Sequence, residues 1–106
     1  MKQWMRVFGI VLLIMGVMSI SAQTPTVEEL YQAGVAAYWR TDDDIAMDSF
    51  DRAIELNPEF APAYAFRGAL NRALNNITDA QSDFTRAVEL DPNLAITYAL
   101  RSRLNY

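Results

Sequence analysis

The chain repeats itself every 34 residues, and that interval constrains the fold more than any other feature. Gly34, Ala46, Phe50, Arg52, Ala53, Glu55, Leu56 and Pro58 are matched by Gly68, Ala80, Phe84, Arg86, Ala87, Glu89, Leu90 and Pro92. A third copy then opens, with Ala61, Tyr64, Ala65, Arg67, Leu70 and Asn71 recurring as Ala95, Tyr98, Ala99, Arg101, Leu104 and Asn105. A single unit of this length cannot bury its own apolar face. Stacked copies share a continuous core, so the interval points to a solenoid or array.

Within each copy the punctuation is helical. Thr26-Val27-Glu28-Glu29 has the spacing of a capping box, in which hydroxyl and carboxylate satisfy two orphan amides. It predicts a helix over 27 to about 40, with Leu30, Ala33 and Ala37 at helical spacing. Thr41 or Asp42 caps a second helix that runs to about 56. Asn57-Pro58 stops it, because proline has no amide and disfavours helix in the residue before it. A third helix follows over 61 to about 74. Asn76 caps a fourth, Asp91-Pro92 ends it, and a fifth starts near Ala95. The predicted fold class is all-α: an antiparallel helix-hairpin solenoid of about two and a half repeats.

The first 22 residues have the order of a secretory signal. Lys2 and Arg6 precede a charge-free stretch over 7–20, and Ser19, Ser21 and Ala22 place small residues before a cleavage point after Ala22. Fourteen helical residues at ~1.5 Å each span about 21 Å, short of a ~30 Å hydrocarbon core. That favours a cleaved signal peptide and an exported protein, periplasmic or extracellular. An uncleaved anchor with the repeats outside the cytoplasm is the alternative. Residues 23–26 form a linker.

Cleavage would leave 84 residues with no Lys, His or Cys, and seven Arg against 13 Asp and Glu, a net charge of −6. A domain of that size has a thin core. Without disulfides it depends on helix packing alone, and with no Cys beside the cleavage point a thiol-linked lipid is excluded. The negative balance repels a phosphate backbone, so nucleic acid is not an expected partner. Missing His, Cys and Lys removes most nucleophile–base pairs and soft metal sites, so neither enzyme activity, cofactor nor metal is expected. Asp42-Asp43-Asp44 lacks the alternating ligands and glycine of a calcium loop, and reads as acid at a helix N-terminus.

The 34-residue period with this Gly/Ala/Phe/Ala/Pro spacing resembles the tetratricopeptide repeat, over residues 27–106. The resemblance implies one repeat at 27–60, a second at 61–94, and the first helix of an incomplete third at 95–106. It implies that Gly34 faces Ala46 and Gly68 faces Ala80 where two helices approach closely, with Phe50 and Phe84 beside them. Tyr64 and Tyr98 would pad the joints between repeats. Three places depart from the pattern: Asp43 where the second copy has Ile77, Ala37 and Asn71 where an aromatic is usual, and Ser102 in the glycine place. Some relatives grip a carboxylate tail with cationic and amide side chains. The matching places here are Tyr31, Val35, Phe66, Ile96 and Leu100, none of which can donate a charged hydrogen bond, so that clamp is absent.

The resemblance also implies a protein or peptide partner. Tyr31, Val35, Tyr38 and Trp39 form a second apolar stripe on the first helix, offset from Leu30, Ala33, Gly34 and Ala37. One reading is padding between neighbouring helices. The other is a peptide groove on the concave face, with Tyr31, Tyr38, Trp39, Arg72 and Arg103 as its contacts and a partner that is apolar with one acidic group. Arg67, Arg101, Asp51, Glu55, Asp83 and Glu89 read as solvated or salt-bridged outer faces of little energetic weight. A structural rival is self-association through the fifth helix, which would leave one side of Tyr98, Leu100, Leu104 and Tyr106 without a partner.

Overall fold

The structure, a computed structural model, describes residues 24–102. The segment assigned above to a signal peptide, and Arg103, Leu104 and Tyr106, lie outside the described residues. Within them there are five helices and no strand: α1 (Val27–Trp39), α2 (Asp43–Leu56), α3 (Ala61–Ala73), α4 (Ile77–Leu90) and α5 (Ala95–Ser102). α1 packs on α2 and α3 on α4 as hairpins. α3 also packs on α1, α2 and α5, which makes it the central helix of the stack.

Local chemistry explains the helix ends. The Thr26 hydroxyl oxygen accepts from the Glu29 amide at 3.1 Å and donates to the Glu29 carboxylate at 3.2 Å. The expected capping box is therefore half formed: the carboxylate takes the hydroxyl proton rather than the Thr26 amide. α1 and α3 both stop in a left-handed residue, Thr41 at φ 63° and Asn75 at φ 66°. At these ends the amides of Thr41 and Asp42 reach back to Tyr38 and Ala37, and those of Asn75 and Asn76 to Arg72 and Asn71. This double closure is a Schellman motif, which satisfies the last carbonyls. Asp42 and Asn76, expected as side-chain caps of α2 and α4, make no such bond. Their amides close the preceding helix, and the tight turn itself sets the hairpin.

The turns between hairpins repeat as well. Asn57 and Asp91 each accept, through a side-chain oxygen, the amide two residues on at 3.1 Å. This is the Asx turn that makes these residues good helix terminators. The Tyr64 hydroxyl donates to the Pro58 carbonyl and that of Tyr98 to the Pro92 carbonyl, both at 2.9 Å. Each tyrosine thus ties the first turn of its helix to the loop before it.

Phe50 is fully buried and Phe84 nearly so, each against a glycine of the neighbouring helix. A Cβ added to Gly34 would stand 2.6 Å from a Phe50 ring carbon, and one added to Gly68 3.0 Å from Phe84. The expected placing of Phe50 and Phe84 beside the glycines is what the structure has. The ring occupies the glycine's open side, because only a residue without Cβ leaves room for it, and Ala46 and Ala80 are buried as well. Burying such a ring contributes about 1.5–3 kcal/mol. Two further expectations change. Ile77 is 42% exposed, so the apolar place that Asp43 seemed to lack is not a core place. Leu100 is buried, because α5 packs against α3 and α4.

Candidate functional site

Three places on the stack could contact a partner. The first is the joint between α1 and α3. Tyr31 stands edge-on to Phe60 at 5.3 Å and to Phe66 at 5.8 Å, and tilted to Phe50 at 6.5 Å. Tyr38 stands edge-on to Phe66 at 5.7 Å, and Phe50 and Phe66 stack at 6.0 Å. Edge-to-face pairs add about 0.5–1.5 kcal/mol beyond burial. Tyr31 and Tyr38 are therefore half-buried members of an aromatic cluster that joins the hairpins. Burial, with a smaller contribution from Glu28, holds the Tyr31 phenol above its ordinary pKa. One repeat later the same places hold Ala65, Leu94, Leu100 and Arg72, so the aromatic joint is made once.

Trp39 extends this cluster outward. Its ring lies edge-on to Tyr38 at 5.0 Å, yet the residue is 56% exposed. Trp39, Leu74, Ile45 and Ile77 are the exposed large apolar residues near the two hairpin turns. A hollow beside them is lined by Thr41, Asp42, Asp43, Asp44, Ile45 and Leu74. Among the described residues no group of three or more carboxylates could hold a metal ion.

The second place was not legible as a site. Arg67 on α3 bridges two second helices: its Nη1 donates to Asp51 on α2 at 3.0 Å, while Nη2 and Nε donate to the two oxygens of Asp83 on α4 at 2.8 and 3.0 Å. Asn71 donates to the same carboxylate at 3.0 Å. The guanidinium also lies 5.5 Å from the Tyr64 ring centre. Asp83 is only 5% exposed. Hydrogen bonding to Asp83, reinforced by the charges of Asp83 and Asp51 against an opposing effect of burial, raises the Arg67 pKa above its ordinary value. The reading of Arg67 and Asp83 as solvated outer-face residues is thereby corrected: Asp83 is buried, and its bidentate pair with the part-buried Arg67 takes a third donor from Asn71. A signal did exist. At the matching places the first repeat has Ala33, Ala37 and Ser49, so three polar residues replace small ones together.

The third place is a hollow of about 390 Å³ lined by Arg72, Gln81, Phe84, Thr85 and Arg101, from α3, α4 and α5. The structure thus sets Arg72 beside Arg101, while Tyr31, Tyr38 and Trp39 gather at the other joint. Arg103, the last residue proposed from the sequence, lies outside the described residues.

The helix-hairpin geometry, the glycine–phenylalanine contact and the repeated Asx turn recur in both hairpins. Residues 61–94, which contain α3 and α4, match the family model of the tetratricopeptide repeat. The chain carries a tetratricopeptide repeat. No curated protein matches the chain. Tetratricopeptide repeats in general mediate protein–protein interaction and are typically not catalytic. The polar chemistry here fits that role. Its part-buried Arg67 guanidinium is taken up by two carboxylates, and the α1–α3 surface offers an exposed aromatic seated on Tyr38.

Proposed function

We propose that this chain is an exported adaptor that holds an extended or helical peptide on the concave face of its first helices. The observation that carries the reading is Trp39, more than half exposed yet seated edge-on against Tyr38, which in turn rests on Phe66. Aromatic and Arg side chains on a rigid base are the usual anchors of an interface. Tyr31, Tyr38 and Trp39 would take the apolar side chains of the peptide, and Arg72 and Arg103 its acidic group. Tyr31 would contribute mainly by fixing the cluster beneath, since it is already packed against Phe60 and Phe66.

A displayed peptide library selected on the protein tests the contact. Enriched sequences should be apolar with an acidic residue, and should lose at least ~10-fold in affinity on Trp39→Ala, an ordinary loss for a central aromatic anchor. Peptides that bind the folded Trp39→Ala protein undiminished would remove the assignment. Export is tested separately by N-terminal sequencing of the protein recovered outside the cytoplasm, which should begin at Gln23.

A further inference from the structure

The aromatic joint and the exposed Trp39 are present together at α1–α3 and absent together at α3–α5. Adding 34 to Tyr31, Tyr38, Trp39, Phe60 and Phe66 gives Ala65, Arg72, Ala73, Leu94 and Leu100, so every ring of the set is lost one repeat on, while Phe50 keeps its ring as Phe84. Where the inner place holds Leu100, buried like Phe66, the outermost place holds only Ala73. The geometry shows how the rings depend on one another. Phe50 is held against the α1 backbone at Gly34, where an added Cβ would come within 2.6 Å of its ring. Phe66 stacks on Phe50 at 6.0 Å and 25°. Tyr38 stands on Phe66 at 5.7 Å and 81°, and Trp39 on Tyr38 at 5.0 Å and 79°. The path leaves α1, passes through α2 and α3, and returns to α1 about one turn further on. Tyr31 touches Phe50, Phe60 and Phe66, but among the described residues Phe66 is the one ring that links Tyr38 to the core.

We infer that Phe66 is the positioning residue of the Trp39 surface: it acts through Tyr38, and the packing of α3 on α1 controls whether that surface is formed. For its effect on affinity this rests on the peptide-binding reading above; the ring geometry stands without it. Trp39 is the last residue of α1 and more than half exposed, so the domain encloses less than half of it. Its edge-on contact with Tyr38 joins the indole to a ring that is itself held by the buried Phe66. Such contacts are directional, because the positive edge of one ring meets the negative face of the next. A leucine at 66, like the one at 100, would fill much of the volume but offer neither face nor edge to fix Tyr38. An anchor ring held in its bound pose loses less side-chain freedom when a partner docks. Phe66 lies 3% exposed, so its effect reaches a partner only through the two rings above it. The surface therefore belongs to the stacked pair of hairpins, not to the first hairpin alone, and a shift of α3 against α1 would dismantle it.

The test uses the full chain with Trp4→Phe, which leaves Trp39 as its sole tryptophan. Near-ultraviolet circular dichroism and acrylamide quenching of fluorescence then read Trp39 directly, at a temperature where far-ultraviolet circular dichroism shows each variant fully folded. Phe66→Leu should weaken the tryptophan dichroism band and raise the quenching constant. Phe84→Leu, the same change at a buried ring of the second hairpin, should leave both at the parent values. Tyr38→Leu should reproduce the change with Phe66 intact, and the double variant should add little to either, because both residues act along one path. If Phe66→Leu does not fold, Phe66→Met, nearer in volume, takes its place. Against a peptide selected on the protein, the Phe66 variant should lose about 3-fold or more in affinity, as residues in one contact network do, and Phe84→Leu none. An unchanged Trp39 signal in the folded Phe66 variant, an equal change in Phe84→Leu, or full additivity with Tyr38→Leu overturns the inference, whether or not a peptide is found. The expected spectral changes with no peptide selected count against the adaptor reading instead, and leave the positioning of Trp39 standing.

Discussion

Replacing Arg67 by Met tests whether the bridge between hairpins is a core element. Met keeps most of the side-chain volume and removes the charge. Asp83, 5% exposed, would keep one neutral donor, Asn71, in place of three bonds. Removing one member of a buried pair costs about 3–5 kcal/mol, because a charge is left uncompensated. Arg67 itself is 24% exposed, so some water reaches the site and the lower end of that range is expected. Asp83→Asn should cost less, about 1–2 kcal/mol, since the amide oxygen still accepts from Arg67. Asp51 is a half-exposed partner, and Asp51→Ala should cost less than ~1 kcal/mol. In a domain of this size 1 kcal/mol moves the Tm by about 4–8 °C. Thermal unfolding followed by circular dichroism should therefore rank Arg67→Met below Asp83→Asn below Asp51→Ala. The double variant Arg67→Met with Asp83→Leu should recover much of the loss, as apolar replacements of buried ion pairs often do. If Arg67→Met melts with the wild type, or if Asp51→Ala costs as much as Asp83→Asn, the bridge is a surface feature and the reasoning fails.

The glycine places should differ in sensitivity. Gly34→Ala puts a Cβ 2.6 Å from the fully buried Phe50 ring and should lower stability by about 1–3 kcal/mol, whereas Gly68→Ala, at 3.0 Å, should come out nearer neutral because helix propensity offsets part of the strain. Urea titration of both variants measures the difference. Thr41→Gly should stabilise the protein by about 1 kcal/mol, because a β-branched residue is held at φ 63° in the closing turn of α1. An unchanged or lower denaturation midpoint would contradict it. Asp43→Leu should leave the Tm almost unmoved, since Ile77 at the matching place is itself 42% exposed, and a rise of several degrees would show that this place is buried after all.

The period of 34, the turn residues and the helix starts were enough to derive five helices in antiparallel hairpins. These are local signals: a proline after Asn57, an Asx oxygen at Asn57 and Asp91, and a hydroxyl at Thr26 act within a few residues of chain. The role of the glycines was legible only in part. Spacing marked Gly34 and Gly68 as points of close approach, but how tightly each ring presses on its glycine depends on how two helices are rotated against each other, and the contact is closer at Gly34, 2.6 Å, than at Gly68, 3.0 Å. The Arg67 bridge shows the same limit more sharply. Its two acids lie 16 residues away on either side, on helices that meet only across α3, so nothing in the local pattern distinguished Asp83 from a solvated outer-face acid. Exposure likewise belongs to the tertiary level. The sequence placed Tyr31, Tyr38 and Trp39 on one stripe. Only the packing of Phe60 and Phe66 decided that Tyr31 and Tyr38 are drawn into the joint while Trp39, the last residue of α1, remains open to solvent. The repeat determined what folds. The differences between its copies, read through the packing, determined which surfaces are left to bind.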